Sequence, residues 1–428
     1  MNILLMTNTY LPFIGGVERS VEIFSSEYLR LGHNVLIVAP TYENVHKTEN
    51  NVIRVPALQK FNGTDFSVQL PVPGLLNSVL NDFKPQIVHS QHPFMLGDSA
   101  LRIAAQYRVP IVYTFHTYYE SYTHYVPGDS PALKRFVIAL VTGYANLCDH
   151  VFAPSTSVAS ELKKRGVETQ IDIVPTGIEV DQFQKGDGRL FRRICKIPEN
   201  AFVIGFVSRI APEKNVHFLA KAIYLFMQSN DSVHFIVAGT GPSVDDVCKV
   251  FEGDASLLKR FHYKGLITGQ DLIDVYHSMN VFVFASKTET QGLVIAEAMA
   301  AGLPVIALDS PAIGDVVQDF INGRLLRSEN VYEYCNALKW FKGLSEGKVK
   351  KMKQSAINTA NSFSKLICAQ KALSIYSSLL TKKVQEKNQA DSGWAKAVRL
   401  FKAEFELIKN MTKATGAAIN DSDDIGNT

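Results

Sequence analysis

Two cations and two carboxylates stand out for the chemistry they could do. Arg209 and Lys214 lie five residues apart in "SRIAPEKN", and Glu289 and Glu297 lie eight apart in "ETQGLVIAEAMAAGLP". Two cations held together can bind a diphosphate and stabilise the charge that grows on it as it leaves. Carboxylates beside them can accept hydrogen bonds from hydroxyl groups. His116 ends "IVYTFH", a polar side chain at a strand end, and the pair Gly15–Gly16 in "GGVER" adds a backbone that a ligand can approach closely.

The elements that must position these residues can be read from the hydrophobic pattern. Short apolar runs recur, each followed by a longer helical pattern: "NILLMTN", "NVLIVAP", "PQIVHSQ", "PIVYTFH", "HVFAPS" and "IDIVPTG", then "FVIGFVSR", "VHFIVAGTG", "FHYKG", "VFVFAS" and "PVIAL". Near-continuous apolar strands alternating with helices predict parallel sheets covered on both faces. The rhythm restarts after Pro175–Asp181, which predicts two doubly wound Rossmann-like domains, 1–178 and 179–364. A helix over 365–385 and a tail over 386–428 follow. Ligands of open parallel sheets bind beyond the strand carboxyl ends. The candidates all fall there, at a rim where two facing domains would form a cleft.

Each motif also has a plain alternative. Gly15–Gly16 can be a tight strand-to-helix turn, and Arg209 and Lys214 can be solvated surface charges. "AGTGP" offers Gly239 and Gly241 to a ligand, but Val244 stands at the third glycine position of a dinucleotide fingerprint, which disfavours a nicotinamide enzyme. Gly292, Leu293 and Val294 open a helix that Gly302 and Pro304 end, so its positive amino end would face a diphosphate. Glu289 then precedes the helix and Glu297 lies inside it, and the alternative is a helix-end charge plus one exposed glutamate.

The five motifs together resemble glycosyltransferase family 4, retaining enzymes of GT-B fold: "GGVE", "TFHT", "SRIAPEKN", "AGTGP" and the Glu-x7-Glu element, in the family's order over most of residues 1–365. The resemblance implies that Gly16 approaches the donor and His116 hydrogen-bonds its sugar. It implies that Arg209 and Lys214 hold the diphosphate, Glu289 the sugar hydroxyls and Glu297 the ribose. It further implies a nucleotide-sugar donor, no required cofactor, no metal and no assigned enzymic nucleophile. "TETQG", "TFHTYYESYTHYV" and "VPTGIE" look like the bacterial diacylglycerol glucosyltransferases, whose donor is UDP-glucose. Tyr118, Tyr119, Tyr122 and Tyr125 are candidates for an acceptor path at a membrane interface, or for loop packing. A GDP-mannose donor and a polyprenyl or saccharide acceptor stay open, as do a nucleotide-sugar 2-epimerase and a two-lobed sugar-binding protein.

The bulk numbers agree with this frame. The chain has 428 residues, 46% of them hydrophobic, and a net charge of only +3, so it lacks the basic field of a nucleic-acid binder. Five scattered cysteines with no CxxC spacing suggest reduced thiols in a cytoplasmic setting. Neither a signal peptide nor a membrane-spanning run is found.

The tail adds a membrane candidate. Trp394, Val398, Phe401, Phe405, Ile408 and Met411 recur at three- and four-residue spacings, with Lys396, Arg399, Lys402, Lys409 and Lys413 on other faces. That pattern predicts an amphipathic helix, either lying on an anionic membrane surface or packing its stripe on the first domain. Residues 417–428, "AAINDSDDIGNT", are expected to be disordered. Oligomeric state is not readable from the sequence.

Overall fold

Runs of Ile, Leu, Val and Phe bounded by polar turns become strands buried on both faces. A computed structural model describes residues 1–13, 15–42, 49–58, 68–69, 76–125, 129–386 and 393–419. The chain forms two compact units, Met1–Thr176 with Cys368–Thr428, and Gly177–Ile367.

Unit 1 contains β1 (Asn2–Met6), β2 (Asn34–Pro40), β3 (Val52–Val55), β4 (Ala57–Leu58), β5 (Val68–Gln69), β6 (Ile87–Ser90), β7 (Ile111–Thr114), β8 (His150–Ala153) and β9 (Ile171–Ile173). Its seven-stranded sheet runs β3-β2-β1-β6-β7-β8-β9, all parallel, and β4 pairs with β5 alone and antiparallel. Unit 2 contains β10 (Phe202–Val207), β11 (Val233–Ala238), β12 (Phe261–Tyr263), β13 (Val281–Phe284), β14 (Val305–Leu308) and β15 (Gly323–Leu326). Its parallel sheet runs β12-β11-β10-β13-β14-β15. In each sheet the winding reverses beside the first strand, between β1 and β6 and between β10 and β13. Those reversals open a crevice for ligands.

The sequence reading leaves out β3, β15 and the β4–β5 pair. β3 and β15 are four-residue edge strands with only partial burial, and an arginine interrupts each apolar run.

Helix Lys365–Glu386 enters the core of unit 1, where Cys368, Ala369, Ala372 and Tyr376 pack with Leu5, Tyr28 and Val112. A buried polar chain fixes it there. His89 Nδ1 lies 2.7 Å from the Tyr376 hydroxyl and His89 Nε2 lies 2.7 Å from Thr114 Oγ1. Tyr376 in turn lies 3.2 Å from the Tyr28 hydroxyl.

Helix Gly393–Ile419 packs on helices Leu96–Tyr107 and Pro131–Leu147 of the same unit. The expectation that a packed tail would bury its apolar stripe fails: Phe401 is 74% exposed, Phe405 55% and Ile408 64%. The packed face instead buries Asn410 and Ala414, with Leu407 partly buried against the core. Expected disorder from residue 417 is also corrected, because 417–419 form the last helical turn, where Arg135 donates to the Ala417 and Ala418 carbonyls. Residues 420–428, the break at 387–392 and the side chains of Tyr125 and Trp394 lie outside the described residues.

Candidate functional site

In unit 2 the loops leaving β10 and β13, the two strands at the reversal, carry the charged candidates. Pro212–Lys214 form a single 3-10 turn, with Pro212 at its start. The turn is tied to the other loop by backbone: Ser286 Oγ donates to the Glu213 carbonyl at 3.2 Å, and the Lys287 N–H at 3.3 Å. Lys214 Nζ therefore meets Glu289 Oε1 at 2.5 Å, with both side chains largely buried. Arg209 lies beside them, half exposed, 3.2 Å from a buried Glu213. The structure thus brings Arg209, Lys214 and Glu289 together from two loops, and adds Glu213, which carried no role in the sequence reading.

Gly292 takes φ +74°, which favours glycine, and caps helix Leu293–Ala300. Leu293 and Val294 form its partly exposed first turn, while the rest of the helix is buried. Glu297 is only 1% exposed, which excludes the plain alternative of a solvated helix glutamate. The Tyr276 hydroxyl donates to Glu297 Oε2 at 2.9 Å. Tyr276 comes from helix Gly269–His277, and no local pattern in the sequence marks it.

The glycines of "AGTGP" have a more immediate job than ligand contact. A Cβ on Gly239 would sit 1.9 Å from the Ser208 carbonyl oxygen, and one on Gly241 would sit 2.2 Å from that of Ile210. They let the β11 loop lie directly on the loop that bears Arg209.

In unit 1, Gly15 caps helix Gly16–Arg30 in an extended conformation, and a Cβ on Gly16 would meet nothing within 4 Å. Gly16 thus leaves open space beside a helix amino end, the geometry suited to approach by a ligand. Glu18, in the first turn, is buried, and burial raises its pKa against a partly offsetting hydrogen bond from Thr9. His116 follows β7 and is partly buried, with Nε2 2.7 Å from Gln91 Oε1. Desolvation pushes its pKa down to about 3, so the ring is neutral at physiological pH. His92, also pushed down to about 3 by burial, accepts from the Asn8 N–H at 3.1 Å. Asn8 further binds Leu96 N and the Phe94 carbonyl, which ties the loop after β1 to the loop after β6. Asn8 and His92 were missed as site residues because their partners lie far along the chain.

The tyrosines serve the loop first. Tyr118 packs edge-on to Phe115 at 5.3 Å with the Arg165 guanidinium 5.3 Å over its ring, and Tyr119 packs on Phe94 at 5.1 Å. Both join the core of unit 1, while Tyr122 is partly buried on the same 3-10 segment, Tyr119–Tyr125. Among the described residues, no cluster of three or more His, Cys, Asp or Glu could hold a metal ion.

Comparison with known proteins decides the family. The family model "Glycosyltransferase Family 4" matches residues 14–182, and "Glycosyl transferases group 1" matches residues 201–341. A GDP-mannose-dependent alpha-mannosyltransferase of Mycolicibacterium smegmatis is 30% identical over 337 residues, 76% of this chain and 84% of that one. The chain belongs to glycosyltransferase family 4. An alpha-monoglucosyldiacylglycerol synthase of Streptococcus pneumoniae is 29% identical to this glycosyltransferase over 336 residues, 77% of this chain and 76% of that one. Among solved structures, HepE of Anabaena in complex with UDP superposes with a TM-score of 0.69 at 20% identity, covering 88% of this chain and 100% of that one. Sucrose-phosphate synthase of Thermosynechococcus elongatus superposes with a TM-score of 0.70 at 18% identity, covering 89% and 99%. These likenesses establish the GT-B fold of the enzyme.

Proposed function

We propose that this glycosyltransferase moves glucose, with retention, from UDP-glucose to a diacylglycerol-type lipid, working as a peripheral protein on the cytoplasmic face of a membrane. The observation that carries the chemical half is the Lys214–Glu289 pair at the reversal of the second sheet. An ammonium held there is placed to take a diphosphate, and the carboxylate it leaves is placed to take sugar hydroxyls. The lipid and UDP-glucose assignments are supported by the glucosyldiacylglycerol synthases among the relatives, at 29% identity.

In this reading Glu297 receives the ribose and Arg209 and Lys214 the diphosphate, with Gly292 to Val294 lending a helix amino end. Gly15 and Gly16 let the donor approach the first unit, and Gly239 and Gly241 set the Arg209 loop. The bond from the sugar's anomeric carbon to the diphosphate oxygen breaks while the acceptor oxygen bonds to that carbon on the same face. The acceptor proton passes to the departing diphosphate. Positive charge grows at the anomeric carbon in such a step. A neutral His116 can hydrogen-bond the sugar there without opposing that charge, which a histidine cation would do.

A second reading, GDP-mannose as donor, is favoured by relatives named for it at 26–30% identity. The purified enzyme should be given UDP-glucose or GDP-mannose, with and without diacylglycerol in detergent, and its products weighed by mass spectrometry. A glucosyl lipid formed only from UDP-glucose is expected. A mannosyl lipid would replace the donor assignment, and sugar transferred to no lipid would remove the acceptor assignment.

A further inference from the structure

Helix Gly393–Ile419 is fastened to unit 1 by a face that sets polar ties beside Leu407 and Ala414. Glu404 pairs with Arg102, Asn410 Nδ2 donates to the Leu140 carbonyl at 3.1 Å, and Arg399 Nε donates to the Ala105 carbonyl at 3.3 Å. Gly143 permits this closeness, since a Cβ there would lie 1.7 Å from Asn410 Oδ1. Ala414 is wholly buried and Arg135 holds the final carbonyls.

The opposite face is apolar and uncovered. Phe401 and Ile419 are each 74% exposed, Ile408 64%, Phe405 55%, Met411 48% and Val398 47%. At 3.6 residues per turn these six fall on one side, and from Val398 to Ile419 they run about 32 Å. Lys402, Lys409 and Lys413 are exposed along one flank, where Lys409 lies 3.4 Å from Glu406, and Glu404 is turned aside to Arg102. A soluble monomer rarely exposes a contiguous apolar stripe of this kind. No helix among the described residues is long and apolar enough to cross a membrane. An apolar face rimmed by lysines fits an element lying in the plane of an anionic lipid surface.

We infer that this stripe is the membrane-docking face of the enzyme, and that it seats unit 1 in one fixed orientation on an anionic bilayer. The inference rests on the lipid-acceptor reading for its purpose, though not for its geometry. Helix Pro131–Leu147 packs against both the docking helix and the aromatic segment Tyr119–Tyr125. The surface that meets lipid and the loop proposed to line the acceptor path are therefore parts of one packed body.

The test is flotation of the full chain, without donor, on vesicles of phosphatidylcholine alone or mixed about equally with phosphatidylglycerol. Flotation on the mixed vesicles and little on the neutral ones is expected. The triple change Phe401→Ser, Phe405→Ser, Ile408→Ser should lower bound enzyme about tenfold or more. Lys402→Gln with Lys409→Gln and Lys413→Gln should abolish the preference for phosphatidylglycerol. Thermal unfolding checks that both variants keep the fold, as substitutions at mostly exposed side chains should. Undiminished flotation of the triple variant overturns the inference, as does a concentration-dependent dimer, seen by sedimentation, that the triple variant loses. Transfer to diacylglycerol in detergent is measured beside it on the unaltered enzyme. Transfer without flotation sinks the docking face alone, and flotation without transfer sinks the acceptor reading alone.

Discussion

At the carboxyl ends of its sheet unit 2 gathers Arg209, Glu213, Lys214 and Glu289, all charged and mutually paired. At the equivalent edge unit 1 gathers Asn8, Gln91, His92 and His116, neutral groups joined by hydrogen bonds, and the carboxyl of Glu18 is pushed toward neutrality by burial. Both edges sit where a doubly wound sheet reverses, so topology alone does not separate them. The difference is electrostatic: the edge of unit 2 carries paired charges, and the edge of unit 1 offers neutral hydrogen-bonding groups.

The sharpest way to break this contrast is to remove one group from each edge. Lys214→Met should lower kcat by about 10²–10³-fold, the scale for losing a group that stabilises developing charge. His116→Gln, which keeps a neutral hydrogen-bonding side chain, should lower it by about tenfold or less. Steady-state kinetics on both variants decides. Equal losses, or a larger one at His116, would mean that the two edges share the electrostatic work.

Part of this contrast is legible in the sequence, and the physical reason is locality. The strands of both sheets show as continuous apolar runs, and charged residues just past a run must lie at the strand's carboxyl end, so Arg209, Lys214 and Glu289 stand out. What is hidden depends on partners remote in the chain. His92 is held by Asn8, and Glu297 is held by Tyr276 from a different helix. The glycines show the same limit: Gly16 and Gly239 look alike in sequence, yet one borders open space and the other a carbonyl oxygen at 1.9 Å. In the tail, periodicity shows the stripe but not that Asn410 and Ala414 form the packed side.

The second prediction uses the neutral histidines. His89, His92 and His116 in unit 1 are each pushed down to about 3, chiefly by desolvation, whereas in unit 2 burial lowers His262 to about 4 and also lowers His234. The unfolded chain protonates these five histidines near pH 6.5, and the folded chain does so only at lower pH. Their contribution to stability is therefore full above about 6.5 and is lost as pH falls from there toward the folded values. For a wholly buried ring such as His89 the loss is about 2 kcal/mol at pH 5. Urea unfolding at pH 7.5 and pH 5, with proteolytic fragments assigned to each unit, should show unit 1 losing more stability than unit 2. Equal losses would show that buried histidines do not distinguish the units.

The smallest expected effect concerns how unit 2 holds its deepest carboxylate. Tyr276 is wholly buried, packs against Phe183 and Phe282 at centroid distances of 5.8 and 5.9 Å, and hydrogen-bonds Glu297. Tyr276→Phe keeps those ring contacts and removes only the hydroxyl, so it tests positioning rather than packing. One ordinary hydrogen bond, about 0.5–1.5 kcal/mol, corresponds to roughly a two- to twelvefold change in donor KM, with kcat nearly unchanged if Glu297 binds the donor equally in ground and transition states. A general loosening of the core would also raise KM, so the cycle needs a second arm. In a Glu297→Gln background the same Tyr276→Phe change should add little, because the carboxylate it positions is already gone. Full additivity of the two changes would mean that Tyr276 supports the fold of unit 2 without holding Glu297 for the donor.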